Sequence, residues 1–399
     1  MKKVVIVGSV RTPIGSHGGA FRTLTAQHLA ALVFREVIDR VGIDPKLFDD
    51  VILGCIGQQS DAPNIGRVAA LLAGVPVNVP GYTVQRNCVS GMVSISAAYQ
   101  AIQAGDGEVY LVGGTESMST APYVVRGARW GLKLRHDTFT DTLWEGLTDP
   151  VCGMIMGYTA ENLAMMYGFS REEQDQFAVL SHKKAFRATR MGRFRDEIMP
   201  VRVSKKVAGK EVAYEDIVQD ECINPTLNVR KAALYPTVFK KDGTVTPANA
   251  CPLSDGAAAV IVMTADKAQE LGLEPLATIR SYAYAALPPE IMGLGPAYAV
   301  PQALERAGLE LTDIELVELN EAFAAQALAV GVELKDAGWD WDKVNVNGGA
   351  IALGHPVGCT GTRIMVTLLH EMIKRDLSLG LITACVGGGM GGAMIVERE

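Results

Sequence analysis

Two features of the segment 87–92 suit a nucleophile. Cys88 stands just before a helical pattern and just after the strand-like run 81–84. At a helix start, backbone N–H groups and the helix dipole lower the pKa of a thiol, so we expect Cys88 to favour the thiolate. Buried cysteines that serve only packing are also common in protein cores. Taken alone, the segment is equally consistent with Cys88 as a nucleophile and with Cys88 as a core packing residue.

One histidine lies in a loop that is rich in glycine. His355 belongs to the stretch 345–361, which contains five glycines that permit close backbone approach, and Pro356 restricts its conformation. The other five histidines lack comparable surroundings. His355 is therefore the strongest candidate for a base, and the alternative is a histidine that only satisfies loop carbonyls.

Cys385 and Asn320 each lie at the end of a predicted strand. The run 387–392 formally fits the dinucleotide pattern GxGxxG, but the chain ends seven residues later, so we expect no crossover helix or second strand to follow. Glycines after a strand, such as Gly387, instead let backbone N–H groups face a ligand, as an oxyanion hole requires. Asn320 follows the strand 314–319 and could cap the next helix or position water or substrate.

Composition and charge exclude several classes of protein. The chain has 399 residues, 48% of them hydrophobic, and a net charge of −7, which predicts two or three compact units and no basic field for nucleic acid. Seven cysteines without a CxxC motif indicate reduced thiols, and no export signal is recognised, so we expect a cytoplasmic protein without a zinc knuckle. No apolar stretch has the length of a membrane span.

The elements that must position these residues follow from alternating β-branched and helical patterns. In chain order the first half reads 4–7, 26–41, 50–55, 64–73, 89–104 and 108–113, and the closing third reads 300–307, 314–319, 322–337, 344–347, 359–375 and 379–385. This alternation predicts two α/β halves with a parallel sheet covered by helices. A loop, helix, strand and glycine order recurs in both halves. If the halves pack with pseudo-two-fold symmetry, two helix starts meet at one central site.

A stretch of different character separates the two halves. Residues 120–249 are richer in charge, contain a helical segment at 159–191, and include the cations Arg126, Arg129, Lys133, Arg135, Arg202, Lys205, Lys206 and Lys210. We interpret the stretch as an insertion or lid on the first half. A solvated helical decoration without function is the alternative.

Cys88, His355, Cys385 and Asn320 together are more specific than any one of them. In this combination the sequence resembles the thiolase family over nearly its whole length. The segments that carry the resemblance are 11–13, 87–91, 113–119, 156–162, 255–258, 320–323, 348–356 and 385–391.

The resemblance implies a fold and an organisation. The fold is α/β, with two pseudo-symmetric halves, each a mixed sheet with helices, stacked in five layers. Residues 1–119 and 250–270 would form the N-terminal half, 120–249 a loop domain that binds coenzyme A (CoA), and 271–399 the C-terminal half. The family is dimeric or tetrameric, so a homodimer or homotetramer is implied. No metal and no resident cofactor is implied, because CoA is substrate and product.

The resemblance also implies a reaction and the role of each residue. Two acetyl-CoA would interconvert with acetoacetyl-CoA plus CoA through an acyl-Cys88 intermediate, as part of fatty acid metabolism. His355 would activate Cys88, and Cys385 would be the acid and base at the α-carbon. The backbone N–H groups of Cys88 and Gly387 would form one oxyanion site, and His355 with a water held by Asn320 the other.

Departures from the family pattern concern the substrate contacts. The implied CoA and substrate contacts are Ile155, Met156, Ala250, Cys251 and Phe323. Ile155 stands where many short-chain members carry histidine, which implies a more apolar acyl pocket. Cys251 replaces a serine of the CoA loop, and Pro252 removes a backbone donor. Asn224 stands where an arginine is often found near the adenine, so the CoA phosphates would depend on other cations of the loop domain.

Other functions on the same fold stay open. One is a degradative 3-ketoacyl-CoA thiolase of broad chain length, and another is a non-catalytic acyl-CoA-binding protein. A ketoacyl-carrier-protein synthase is less favoured, because Cys385 and the run 320–323 match thiolases.

Overall fold

Runs of β-branched and small apolar residues form the strands, because such side chains pack well on a pleated surface. The computed structural model describes residues 2–132, 134, 136–207 and 210–398, with side chains at all of these except 205–207 and 210–213. In this part of the chain the strands are β1 (Val4–Arg11), β2 (Gly15–Ser16), β3 (Asp50–Gly54), β4 (Gly81–Val84), β5 (Val109–Ser117), β6 (Tyr123–Val124), β7 (Thr140–Asp141), β8 (Val201–Val207), β9 (Lys210–Ile217), β10 (Ser254–Thr264), β11 (Ala277–Ala286), β12 (Leu316–Leu319), β13 (Leu379–Val386) and β14 (Met390–Glu397).

Hydrogen bonds join ten of these strands into one mixed sheet. Its order is β12-β13-β14-β11-β1-β10-β5-β3-β4, and β2 pairs with β10. β3 is parallel to β4 and β5, and β12 is parallel to β13, whereas β10, β11 and β14 are antiparallel to their neighbours. The prediction of a parallel sheet is therefore wrong. Strand and helix alternation could not reveal β10, β11 and β14, because antiparallel neighbours need no crossover helix.

The sheet divides into two halves with the same internal order. β1 and β11 pair over only two residues each, Val5 with Thr278 and Ile6 with Ala277. On one side of this joint lie β10, β5 and β3, and on the other lie β14, β13 and β12, with matching strand directions. The internal repeat seen in the sequence is thus a repeat of the fold.

Helices follow the strands in both halves. They are α1 (Ala26–Val41), α2 (Ile65–Ala73), α3 (Ser90–Ala104), α4 (Thr142–Gly146), α5 (Met156–Tyr167), α6 (Arg171–Arg190), α7 (Val229–Ala232), α8 (Ala265–Leu271), α9 (Gly295–Ala307), α10 (Ala324–Glu333), α11 (Ala350–Leu353) and α12 (Val357–Arg375). The Asn64 side chain caps α2, and Ser170 with Glu173 forms a capping box on α6. That capping box begins a new helix at Arg171, so the predicted segment 159–191 is two helices.

Three apolar clusters fill the spaces between five layers. α1 and α2 cover the outer face of the first half, where Phe34 and Leu53 belong to one buried cluster. α3 and α12 lie between the two halves, and their Met92 and Ile364 share a cluster with strands of both. α9 and α10 cover the outer face of the second half. The predicted five-layer α/β fold is confirmed.

Two further predictions need correction. The predicted strand 344–347 is reduced to a single bridge between Val317 and Val344, because a turn begins immediately after it. A second strand does follow Cys385, since β14 returns antiparallel to β13. The return needs only a tight turn at Gly388 and Gly389, whose φ values of 87° and 74° suit a hairpin. The rejection of a dinucleotide site stands, because this return is a hairpin strand and not a crossover helix.

The stretch between β5 and β10 is an insertion in the first half. It contains the two-stranded sheets β6-β7 and β8-β9 and the helices α4 to α7. Its α5 and α6 contact α10, and α6 also contacts α11, so the insertion lies against the second half of the chain.

Candidate active site

Loops from both halves bring the predicted catalytic side chains to one place. Cys88 lies in a 3-10 turn (Asn87–Val89) between β4 and α3. His355 lies between α11 and α12, Asn320 follows β12, and Cys385 is the penultimate residue of β13. The site therefore forms where the ends of β12 and β13 meet the starts of α3 and α12.

The two helix starts approach each other closely, as the internal repeat predicted. A Cβ on Gly91 would lie 2.6 Å from the hydroxyl oxygen of Thr362, and one on Gly361 would lie 2.3 Å from the backbone nitrogen of Met92. The Thr362 hydroxyl donates to the carbonyl of Gly91 over 2.9 Å. Only glycine allows this approach, which sets Cys88 and His355 beside the same cavity.

The cavity has a volume of about 120 Å³ and a largely apolar wall. Its lining residues are Cys88, Met118, Leu147, Ile155, Met156, Gly157, Phe239, Ala250, Cys251, Pro252, Leu253, Met292, Ala322, Phe323, His355, Val357 and Cys385. All the predicted catalytic and substrate contacts are in this set except Asn320 and Gly387. A larger open hollow lies at the outer ends of α1 and α2, lined by Arg35 and Gly74 among others, and it contains none of the predicted residues.

Burial, rather than the helix start, determines the direction of the pKa shift of the Cys88 thiol. Loss of solvation raises the pKa of Cys88 to about 11, although the backbone N–H groups of Gly387 and Cys88 itself act in the opposite direction. The negative charge of Glu116 raises it further. The prediction of a resting thiolate is therefore wrong, because desolvation of the charged form outweighs the helix start. Cys88 needs a base to become a nucleophile.

The surroundings of His355 suit that base. Its Nδ1 lies 2.5 Å from the hydroxyl oxygen of Thr360, and that hydroxyl lies 3.0 Å from the carbonyl of Pro356. The hydroxyl proton goes to the carbonyl, so Thr360 accepts from Nδ1–H and leaves Nε2 unprotonated. Burial, together with the Arg363 cation, lowers the pKa of His355 to about 3. The imidazole is thus neutral, and Nε2 has a free lone pair that can accept a proton, although burial makes it a weaker base than a histidine in water.

Asn320 faces His355 and does not cap a helix. Its amide Nδ2 lies 3.4 Å from Nε2 of His355, and its Oδ1 is buried without a hydrogen-bond partner among the described residues. α10 begins only at Ala324, and Phe323 occupies its cap position. The capping alternative is therefore wrong. An unpaired buried amide oxygen beside a base can hold a water.

Cys385 and Gly387 close the side of the site opposite α3. Cys385 is fully buried, and burial beside the thiols of Cys88 and Cys251 raises its pKa. The Asn87 side chain donates to the carbonyl of Gly387 over 2.8 Å, with Asn87 in the left-handed region at φ 43°. This bond holds the end of β13 against the turn of Cys88, so the Gly387 N–H can face the sulfur.

The predicted CoA loop forms one wall of the cavity. Ala250 makes an antiparallel bridge with Phe323, and the Cys251 N–H donates to the carbonyl of Ala322 over 3.0 Å. The ring of Phe239 meets that of Phe323 edge to face, with 6.3 Å between centroids. The insertion and the second half thus build this wall together.

Neither Asn224 nor the described cations of the loop domain line this cavity. Asn224 is outside the cavity, where its N–H donates to Nδ1 of His182 and its side chain accepts from Thr226. Arg202 pairs with Asp216, and Arg126 pairs with Glu145. Lys133 and Arg135 lie outside the described residues, as do the side chains of Lys205, Lys206 and Lys210.

Sequence reasoning missed several residues of the site. Thr360 and Asn87 stand within the motifs of His355 and Cys88, but their roles depend on distant partners. Leu147, Phe239 and Met292 have no local signal, because apolar residues look alike in sequence whether they line a cavity or fill a core.

The described residues hold no group of three or more His, Cys, Asp or Glu side chains arranged to bind a metal ion. None of the described helices combines the length and apolar composition that crossing a bilayer requires.

Two thiols and a neutral imidazole around a small apolar cavity, carried by two stacked α/β halves, define an acyltransferase. The family models "Thiolase, N-terminal domain" and "Thiolase, C-terminal domain" match residues 4–266 and 273–398. The chain belongs to the thiolase family.

Individual relatives are similar over their full length. An acetyl-CoA acetyltransferase of Pseudomonas aeruginosa is 48% identical, with all of both chains covered. The crystal structure of the Bacillus anthracis acetyl-CoA acetyltransferase is 45% identical with a TM-score of 0.95, covering 100% of this chain and 99% of the other. Human mitochondrial 3-ketoacyl-CoA thiolase in complex with CoA is 40% identical with a TM-score of 0.93, covering 100% and 98%.

Proposed function

We propose that the protein interconverts two acetyl-CoA with acetoacetyl-CoA plus CoA through an acyl-Cys88 intermediate. The observation that carries the proposal is the meeting of Cys88, His355 and Cys385 at one apolar cavity. The acetyl-CoA acetyltransferases of Pseudomonas aeruginosa and Bacillus anthracis are 48% and 45% identical to this chain over nearly their whole length, which supports the short-chain reaction. A non-catalytic binding protein would have no need of two thiols there.

In the cleavage direction the first step forms a bond between Cys88 and the substrate. Nε2 of His355 takes the thiol proton while Sγ attacks the 3-oxo carbon of acetoacetyl-CoA. The backbone N–H groups of Cys88 and Gly387 stabilise the oxyanion that develops there. Removal of one donor from such a site typically costs about 2.7–4 kcal/mol of barrier stabilisation.

The second step breaks the carbon–carbon bond. Electrons from that bond pass to the leaving acetyl-CoA as an enolate, and the thiol of Cys385 gives its proton to the α-carbon. The raised pKa of Cys385 suits a group that must hold this proton until the enolate forms. His355 and a water on Asn320 stabilise the enolate oxygen.

The third step regenerates the enzyme. CoA loses its thiol proton to the Cys385 thiolate, attacks the acyl group on Cys88, and leaves as acetyl-CoA. Cys88 regains its proton from His355. Every group that gave or took a proton is thereby restored. The same residues catalyse the reverse reaction, the condensation of two acetyl-CoA.

The acyl cavity favours short apolar groups. Its volume of about 120 Å³ is small, and Ile155, Met156 and Phe239 contribute apolar walls. CoA would enter past Ala250, Cys251 and Phe323, with the stretch 120–249 as the loop domain that holds it. Residues 1–119 and 250–270 are assigned to the N-terminal half and 271–399 to the C-terminal half.

We also propose a cytoplasmic homodimer or homotetramer that acts in fatty acid metabolism without a resident cofactor. Assembly is supported by apolar side chains exposed on the insertion, where Trp130, Leu132 and Phe139 are 84%, 64% and 71% exposed. Sedimentation equilibrium tests the assembly, and a monomer at micromolar concentration would contradict it.

Thiolysis rates test the reaction. The purified protein is assayed at a fixed CoA concentration with a series of 3-oxoacyl-CoA substrates whose acyl chains have about four to sixteen carbons. All substrates are used at the same concentration. Fast cleavage of acetoacetyl-CoA with a steep fall at longer chains supports the proposal. Equal or rising rates with length would instead indicate the broad degradative thiolase. If no substrate is cleaved, the result would favour a non-catalytic acyl-CoA-binding protein instead.

A further inference from the structure

A buried carboxylate outside the cavity connects the two halves beside the catalytic loops. Glu116 is the penultimate residue of β5 and is 5% exposed. Its oxygens accept the backbone N–H groups of Ile56, Gly57 and Gly358 at 3.1, 2.9 and 2.9 Å. Ile56 and Gly57 belong to the loop after β3, and Gly358 belongs to the first turn of α12. One side chain therefore ties three segments together.

All the described groups in polar contact with the Glu116 carboxylate are hydrogen-bond donors. Besides the three N–H groups, the thiol of Cys55 lies 3.7 Å from Oε1. A protonated carboxyl would need an acceptor, and these neighbours provide none. Burial raises the pKa of Glu116 from its ordinary value, while the backbone donors lower it. The geometry therefore calls for the ionised form, which caps α12 from the other half of the protein.

Two glycines allow this arrangement. A Cβ on Gly57 would lie 2.9 Å from Oε1 of Glu116, and one on Gly358 would lie 2.7 Å from Oε2. Side chains at these positions would push the carboxylate away from the N–H groups that it binds. The loop after β3 and the start of α12 are thus both shaped around Glu116.

The segment that Glu116 fixes carries the partner of the base. Gly358 stands three residues after His355 and two before Thr360, whose hydroxyl accepts from Nδ1 of His355. We propose that Glu116 is a positioning residue: by holding the first turn of α12, it keeps Thr360 in place to orient His355 toward Cys88. The inference rests on the proposed function and adds a residue that touches no substrate.

The charge of Glu116 has a second consequence that can be measured. The titratable groups that respond to it are the thiols of Cys55, Cys88 and Cys359. The charge of Glu116 raises the pKa of Cys88 by less than burial does, so its neutralisation should lower that pKa slightly and increase the thiolate fraction at a given pH. A role in folding alone would not couple lower turnover to a more reactive thiol.

Two variants separate geometry from charge. Glu116→Gln removes the charge and replaces one accepting oxygen by an NH₂ group, which must face an N–H donor. Glu116→Asp keeps the charge but cannot reach all three N–H groups. Asp49→Asn is the matched control, because Asp49 accepts the N–H groups of Glu108 and Val109 near the opposite end of β5, about 23 Å away at 3.3 Å per residue.

The full-length variants are compared in acetoacetyl-CoA thiolysis and in alkylation of Cys88 by iodoacetamide, followed by peptide mass spectrometry across pH. We expect kcat to fall about 10- to 100-fold in both Glu116 variants, with little change in KM, because the base is misplaced. The alkylation profile should move to lower pH in Glu116→Gln and stay near that of the wild type in Glu116→Asp. The control should match the wild type in both measurements.

Several results would overturn the inference. They are a kcat within twofold of the wild type in the folded variants, an unchanged alkylation profile in Glu116→Gln, or failure of both variants to fold, which would give Glu116 a role in folding instead. A wild type without thiolysis would count against the proposed function. In that case the alkylation profiles would still test whether Glu116 acts on the site.

Discussion

The hydroxyl oxygen of Thr360 lies 2.5 Å from Nδ1 of His355 and 3.0 Å from the carbonyl oxygen of Pro356. A hydroxyl has one proton, and the carbonyl can only accept it, so Thr360 selects the tautomer that protonates Nδ1. The lone pair of Nε2 then faces the cavity that contains Cys88. A single threonine thus determines which nitrogen of His355 is free to accept a proton.

Replacement of this hydroxyl tests the tautomer directly. Thr360→Val keeps the shape of the side chain but leaves Nδ1–H without its acceptor. An unsatisfied buried group costs about 1–3 kcal/mol, so we expect kcat for acetoacetyl-CoA thiolysis to fall roughly 5- to 150-fold. Thr367→Val is the control, since it removes a buried hydroxyl from the same helix, one that donates to Glu197 over 3.1 Å. Equal loss in both variants would contradict a specific role for Thr360.

Removal of the second thiol should separate the two half-reactions. In Cys385→Ala we expect Cys88 still to be acetylated by acetyl-CoA, although more slowly, because His355 can take the proton of Cys88 and pass it to the leaving CoA thiolate in place of Cys385. Carbon–carbon cleavage should fall about 10²- to 10⁴-fold, as for loss of a general acid. Intact mass measures the acetyl-enzyme, and absorbance of acetoacetyl-CoA measures cleavage.

The controls for that experiment are two further cysteines. Cys88→Ala should abolish both the acetyl-enzyme and cleavage, whereas Cys152→Ser, outside the residues that line the cavity, should leave both near the wild type. Cleavage at the wild-type rate in Cys385→Ala would assign the acid to another group.

A buried ion pair predicts an asymmetric effect on stability. Arg363 Nη1 and Glu318 Oε2 lie 3.7 Å apart, with both side chains 1% exposed. Burial raises the pKa of Glu318, so this carboxyl can take a proton when its partner is removed, whereas a guanidinium cannot lose one. Glu318→Gln should therefore destabilise the fold by about 3–5 kcal/mol, and Arg363→Met by less.

Urea denaturation at one protein concentration measures both free energies of unfolding. The double variant Glu318→Gln with Arg363→Met leaves no buried charge, so it should be more stable than Glu318→Gln alone. A larger loss in Arg363→Met than in Glu318→Gln would contradict the role given to the carboxyl proton.

Two buried histidines predict how stability depends on pH. Burial lowers the pKa of His355 to about 3 and that of His182 to about 4, from an ordinary 6.5. Below pH 6.5 the unfolded chain binds protons at these two histidines that the folded chain refuses, so their contribution to stability falls with decreasing pH until the folded values are reached. Glu318, whose pKa burial raises to about 8, acts in the opposite direction and is present in every variant compared. Each histidine contributes up to about 1.4 kcal/mol per pH unit in that window and no slope above it.

Urea denaturation between about pH 7.5 and pH 5 measures this slope. His355→Gln and His182→Gln should each flatten it. The same slope in His355→Gln as in the wild type would show that His355 is not held neutral.

Local signals were strong for the elements and for the reacting groups. The prediction of a helix at 26–41 coincides with α1 (Ala26–Val41), because its apolar residues recur with helical spacing. Cys88, His355 and Cys385 were recognisable because each stands beside glycines at the end of an element. Asn320 had two possible roles in sequence, and the cap was excluded only by the start of α10 at Ala324, with Phe323 in the cap position.

Other features depend on segments that are far apart in the chain. The hydrogen bond from Asn87 to Gly387 spans 300 residues, and that from Gly358 to Glu116 spans 242. No spacing rule connects such partners. The antiparallel strands β10 and β11 were missed for the same reason, since their neighbours in the sheet are far away in the chain. β14 was missed although its neighbour β13 directly precedes it, because the hairpin contains no helix that would continue the alternation.

The sequence by itself determined the α/β halves, their repeat and the candidate catalytic side chains, because periodicity and glycine loops act over a few residues. The tertiary structure alone decided the protonation states and the partners that orient those side chains. Cys88 illustrates the difference, because its helix start favours a thiolate while burial by both halves raises its pKa to about 11. Desolvation depends on every surrounding segment, so it appears only when the chain is folded.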